Sequence, residues 1–229
     1  MRKDLWSHLA GRFFGPCEDP RVAPFQAKGT SVTMTDSKDL SKGELIGILE
    51  VIEGARNCVT SDDIRDVIIK ARELVSADRA ICGIARVRDG EVRDIVSVVN
   101  GNYPMEWLSS YLSGKLYFVD PVVKFHTRCS LTQFWSDIFR GSTDRQSRLA
   151  IDHAADFGLK YGLSSGIFVP ESNNVSILAF AGDRDRYDLH HKKIMDIISL
   201  HINNALIKST YEFQSPVAFP ELDDKAFLR

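Results

Sequence analysis

The dipeptide Asp89-Gly90 lies between two short apolar runs, AICGIARV (residues 80–87) and VRDIVSVV (residues 92–99), and this arrangement leaves the chain few folds. Asp-Gly supplies the positive φ angles of a tight two-residue turn, so the runs are predicted to pair as antiparallel strands. A second hairpin is predicted where Glu171-Ser172-Asn173-Asn174 joins GIFVP (166–170) to VSILAFA (175–181). Helical periodicity surrounds both. Ser41 is read as opening a helix with Leu45, Ile48, Leu49 and Ile52 on one face. Ser61, with Asp62 and Asp63, is read as capping a second that carries Ile64, Val67, Ile68, Ala71, Leu74 and Val75. Two more are read from Leu149 to Phe157, closing near Gly158, and from about Leu189 to Lys208, with Ile194, Ile197, Ile198, Ile202, Ala205 and Leu206. Helices before and after antiparallel strands predict an α/β/α sandwich, with a central antiparallel sheet of about five strands and helices on both faces.

Composition narrows the function. With 229 residues, 44% apolar and 26% charged, the chain has enough core for one globular domain, and a net charge of −2 gives no general attraction to nucleic acid or anionic membranes. Cys17, Cys58, Cys82 and Cys129 lie far apart with no CxxC pair, which points to reduced thiols rather than a zinc site or disulfide framework. No apolar run has the length of a bilayer span and none near the start reads as a signal peptide, so a cytoplasmic protein is expected. Residues 1–40 are an N-terminal extension, read either as an arm that docks Trp6, Phe13 and Phe14 on the domain or a partner, or as an upstream segment ahead of a start at Met34. Residues 41–210 form the main domain and 211–229 a tail.

One stretch is richer in chemistry than the rest. Gly101 to Trp135 holds two Trp, three Tyr, three Phe and one Asp-Pro pair, and Tyr103, Trp107 and Tyr111 recur every four residues. At helical spacing such rings share a face that is apolar in body and tipped with hydroxyl and indole N–H groups, which need partners once water is excluded. A core stripe meets that description as well as a cavity does. As a cavity it suits a small amphipathic guest, with Asp120 persisting as a carboxylate only where donors reach it.

This text resembles the ligand-binding domain of LuxR-type quorum-sensing receptors, which bind acyl-homoserine lactones. Tyr103, Trp107, Tyr111, Asp120, Pro121 and Trp135 match in type and spacing, a glycine pair follows at Gly162 and Gly166, and the likeness runs over about residues 41–210. The resemblance implies that Trp107 donates to the lactone carbonyl, Asp120 accepts from the ligand amide and Tyr111 donates to the acyl carbonyl. Tyr103 and Trp135 would wall the pocket, and Val122, Phe125, Phe118 and Leu131 would line the acyl channel. On the sheet, Phe168 and Ala179 take places where many members carry Ser or Thr, which favours short, unsubstituted or aryl acyl groups. Pro121, Gly162 and Gly166 would be structural.

The function implied is a ligand-binding regulator of quorum sensing that takes an N-acyl-homoserine lactone, needs no cofactor or metal, and pairs as a homodimer or with a full-length receptor. Only YEFQSPVAFPELDDKAFLR follows the last domain helix. That is too short for the helix-turn-helix domain such receptors carry, so direct DNA binding by this chain is not expected and antagonism of a full-length activator is. The sensing half of an activator, and an orphan sensor for another small molecule, stand as alternatives. The last helix, with His201, Asn203 and Asn204, is the candidate pairing surface. An enzyme is not expected: His126, His153, His190, His191 and His201 show no metal-binding grouping, and no Ser sits in a G-x-S-x-G elbow.

Overall fold

The computed structural model describes residues 40–212. The expectations for the N-terminal extension and for most of the tail lie outside those residues. Asp89 (φ 57°) and Gly90 (φ 74°) make the expected tight turn between β1 (Arg79–Arg88) and β2 (Glu91–Asn100). Asn173 (φ 51°) turns the chain between β4 (Tyr161–Val169) and β5 (Asn174–Gly182). A two-residue strand, β3 (Gln133–Phe134), completes an antiparallel sheet in the order β2-β1-β5-β4-β3. Ala179 pairs with Ile81 on one side and with Ser164 on the other, and Ile177 pairs with Gly83 and Gly166.

Alternation along the strands separates two cores. Leu178 and Phe180 of β5 face one side with Cys82 and Ile84 of β1, whereas Val175, Ala179 and Ala181 face the other with Ala85 and Val87. The first side is covered by α1 (Lys42–Asn57), α2 (Ser61–Leu74) and α7 (Leu189–Glu212). The second is covered by the segment between the hairpins: α3 (Met105–Ser113), a 3-10 turn (Leu116–Phe118), α4 (Pro121–His126), α5 (Trp135–Gly141) and α6 (Arg145–Asp156). The α/β/α sandwich is therefore as predicted, but the helices before and after the strands share one face. The aromatic stretch itself makes the opposite layer.

Details shift within the helices. The buried face of α1 is Ile48, Val51 and Ala55, while Leu49 is 65% exposed and Leu45 is at the surface, because the packing stripe lies a quarter turn from the one predicted. The N-cap of α2 is Thr60, not Ser61: its Oγ1 accepts from Asp63 N at 3.2 Å, and Asp63 Oδ2 accepts from Thr60 N at 2.7 Å. Thr60→Ala removes half of this capping box and should lower stability by about 1 kcal/mol, read as a lower urea midpoint at unchanged slope. On α7, Asn203 is fully buried and its Oδ1 accepts from Ser176 Oγ at 2.7 Å, so it pins the helix to β5 and is not part of a pairing surface. No helix among the described residues is long and apolar enough to cross a membrane.

Candidate ligand-binding site

The turn from β2 into α3 is built by asparagines. Asn102 Oδ1 accepts from Ala80 N at 2.8 Å and its Nδ2 donates to the Asp78 carbonyl at 2.8 Å, while Asn100 Oδ1 accepts from Tyr103 N at 2.8 Å. Tyr103 is thereby fixed just ahead of α3, over the second face of the sheet. Its ring centroid is 5.2 Å from that of Trp107, which stacks on Tyr111 at 4.6 Å with 28° between planes. Asp120 is the N-cap of α4, with Pro121 at the first helical position. Its Oδ1 accepts from Val122 N at 2.8 Å and its Oδ2 from the Tyr111 hydroxyl at 2.7 Å.

Between this layer and the sheet lies a void of about 110 Å³. A single buried water needs roughly 10–15 Å³ by the same kind of measure, so the space is on the scale of a small organic molecule. Tyr103, Trp107, Tyr111, Asp120, Trp135, Val122 and Ala179 line it, as do Pro121 and the sheet residues Ile81, Ile95, Val98 and Ile177. Phe125 and Phe168 pack into the same apolar cluster but do not reach the void. Phe118 and Leu131, read as channel lining, are instead 40% and 53% exposed and do not border the void: Phe118 ends the 3-10 turn and Leu131 lies in the loop before β3. The helix α6 contributes Ala150, Ile151 and Ala154 to the void. It is tied down by Ser110 Oγ against His153 Nε2 at 2.8 Å and by Ser147 Oγ donating to the Val119 carbonyl at 3.2 Å. Its lining role was missed in the sequence, where this stretch shows only that a helix is present.

The polar groups of this space are unequal. Tyr103 Oη, Trp107 Nε1 and Trp135 Nε1 are buried and have no hydrogen-bond partner among the described residues. Leaving such donors unpaired costs about 1–3 kcal/mol each. Burial pushes the Tyr103 and Tyr111 hydroxyls well above the usual tyrosine range, so both rings are neutral donors. Burial also raises Asp120 above the ordinary carboxylate range, opposed by the bonds from Tyr111 and the backbone of α4. Tyr111 has one O–H. In this arrangement that O–H is engaged with Asp120, whereas Tyr103, just ahead of α3, holds a hydroxyl with no partner among the described residues.

Two glycines set the floor. A Cβ on Gly162 would lie 2.6 Å from Trp135 Cε2 and 2.8 Å from the Phe180 carbonyl oxygen, and one on Gly166 would lie 2.7 Å from His126 Cβ. Their absent side chains let Trp135 and His126 rest on β4. No cluster of three or more His, Cys, Asp or Glu suited to a metal occurs among the described residues.

Residues 60–206 match the family model described as the autoinducer binding domain. The chain is 25% identical over 147 residues to the transcriptional activator protein VanR of Vibrio anguillarum, covering 64% of this chain and 60% of that protein. To the transcriptional activator protein TraR of Rhizobium radiobacter it is 31% identical over 138 residues, covering 59% and 56%. It thus spans rather more than half the length of these relatives. Among solved structures, the N-acylhomoserine lactone dependent LuxR family transcriptional factor CepR2 of Burkholderia cenocepacia superposes with a TM-score of 0.60 at 18% identity. That match covers 74% of this chain and 98% of CepR2. Escherichia coli SdiA gives 0.56 at 14% identity, covering 77% and 71%. With the family model matched over most of the described fold, the chain belongs to the autoinducer-binding domain family of LuxR-type quorum-sensing receptors.

Proposed function

We propose that this protein binds an N-acyl-homoserine lactone in the void between β1, β2, β5 and α3–α6, without metal or cofactor and without catalysis, and that occupancy regulates transcription. One observation carries the reading: three buried donors without acceptors, on Tyr103, Trp107 and Trp135, border an apolar space that also holds one buried carboxylate. An N-acyl lactone supplies the complement. Its two carbonyls and ring oxygen accept, its single amide N–H donates to Asp120, and its tail occupies the apolar remainder. Each tail methylene buried contributes about 0.8 kcal/mol, so the room available selects the chain. In this assignment Trp107 meets the lactone, Tyr103 meets the acyl carbonyl, and Tyr111 holds Asp120 in place. Activation, antagonism of a full-length activator, and pairing with a second subunit are outputs decided outside the void; all require this binding step.

The test is a thermal-shift panel of lactones from four to twelve acyl carbons, with and without 3-oxo groups. At least one unsubstituted lactone should raise the melting temperature in a dose-dependent way and be recovered intact. Tyr103→Phe and Trp107→Phe should each weaken its binding by about 1–2 kcal/mol, or roughly five- to thirtyfold, by leaving a ligand oxygen unpaired. Hydrolysed lactone would favour an enzyme, and a panel without effect would leave the chain an orphan sensor.

A further inference from the structure

Although β4 sits between β5 and β3, none of its residues borders the void, whose sheet-side lining comes from β5, β1 and β2. Its inward positions alternate at Gly162, Ser164 and Gly166, and all three are already covered. Trp135 lies on Gly162, and His126 lies on Gly166 and meets Ser164 Oγ through Nε2 at 2.9 Å. The imidazole is fully buried, and its Nδ1 faces the Cys129 carbonyl at 3.2 Å. Both ring nitrogens are thus engaged, and burial lowers the ring's pKa to about 4, so it is a neutral, fixed block.

Its position relative to the void is defined on two sides. Ser164 and Gly166 pair directly with Ala179 and Ile177, which line the void, and His126 follows Val122 and Val123, which also line it, by one helical turn. Asp120 caps the opposite end of α4, six residues back, or about 9 Å at 1.5 Å per residue. A guest whose polar head meets Asp120 and whose tail follows the valines of α4 therefore runs toward His126.

His126 does not itself border the void but stands directly behind the lining residues Val122, Val123, Ala179 and Ile177. We propose that it stops the pocket at that end and determines which acyl chains fit, by occupying the space above β4 into which a longer tail would otherwise extend. This rests on the lactone reading above. The same side chain withholds the Ser164 hydroxyl from the guest.

The experiment compares the rank order of lactones, by thermal shift, for the wild type, His126→Ala and His126→Asn. His126→Asn keeps a polar partner for Ser164 in case the alanine protein does not fold. Both variants should move the best-stabilising chain to one at least two carbons longer, the alanine more than the asparagine. In the wild type, the imidazole 15N resonances of His126 should shift with the longest chain that binds and stay still with the shortest. Variants that fold and keep the wild-type order overturn this role for His126, as does an imidazole signal indifferent to chain length. A wild-type protein that no lactone stabilises overturns the lactone reading and this role together.

Discussion

Asp120→Asn is expected to leave the ligand-free protein at least as stable as the wild type at neutral pH while abolishing most of its response to lactone. Asparagine is as good an N-cap as aspartate, so its Oδ1 keeps the bond from Val122 N. Its amide group replaces Oδ2 opposite Tyr111, whose hydroxyl oxygen then accepts instead of donating. What changes is the charge. Burial raises the pKa of Asp120 in the folded state above its value in the unfolded chain, so the folded protein holds this proton more tightly. The proton's contribution to stability is present at acid pH and is lost as pH rises through the raised value, above which the carboxylate carries its desolvation cost. The substituted amide never ionises, and the variant's advantage should therefore shrink as the two proteins are compared at falling pH. Binding moves the other way. The guest's amide N–H would meet an N–H₂ group where it met an acceptor, with a loss of about 1.5–3 kcal/mol, or roughly ten- to a hundredfold in Kd. A full lactone response from the asparagine protein would remove Asp120 from the site, and a large drop in ligand-free melting temperature at pH 7 would mean that its charge is compensated in the fold.

This division between scaffold and site mirrors what the sequence discloses. The β1–β2 hairpin is legible because only a turn with positive φ at two successive residues explains Asp89-Gly90 between alternating runs, and the structure has that turn. The strand β3 is not, since two residues carry no periodicity and are a strand only through their pairing with Leu163 and Ser164. Helices of six or seven residues such as α4 and α5 escape notice for the same reason. An amphipathic stripe says that a helix covers something but not which face of the sheet it covers. For that reason the segments before and after the strands could be read as opposite layers when both pack on one. The aromatic stretch announces the residue types of the site and, through its spacing, that Tyr103, Trp107 and Tyr111 cluster. It does not say which hydroxyl is spent. That depends on the reach of Asp120 from the start of α4 to Tyr111, nine residues away in sequence and 2.7 Å in space. His126 is hidden more completely, because a histidine at the end of a six-residue helix gives no sign that a glycine two strands later has left room for its ring.

Gly162→Ala is expected to destabilise the protein by about 1–3 kcal/mol, and Gly162→Val by more, for a reason that also bears on binding. The new Cβ would press on two neighbours, the Trp135 indole and the Phe180 carbonyl oxygen. The second is part of the β4–β5 ladder, through the Leu163–Phe180 pair, and cannot retreat without breaking strand pairing. Only the indole can move, and the space open to it is the void that Trp135 already borders. Alanine at this position should therefore reduce lactone binding as well as stability, even though the residue does not border the void. Gly141, where an added Cβ meets nothing within 4 Å at the end of α5, is the matched control, and alanine there should be neutral or slightly stabilising. Combining Gly162→Ala with Trp135→Phe separates close approach from other causes. A smaller ring relieves the contact, so the double variant should be less destabilised than the sum of the two single changes, with a coupling of about 0.5–3 kcal/mol by chemical denaturation. Strict additivity would show that Gly162 is held by something other than the indole resting on it.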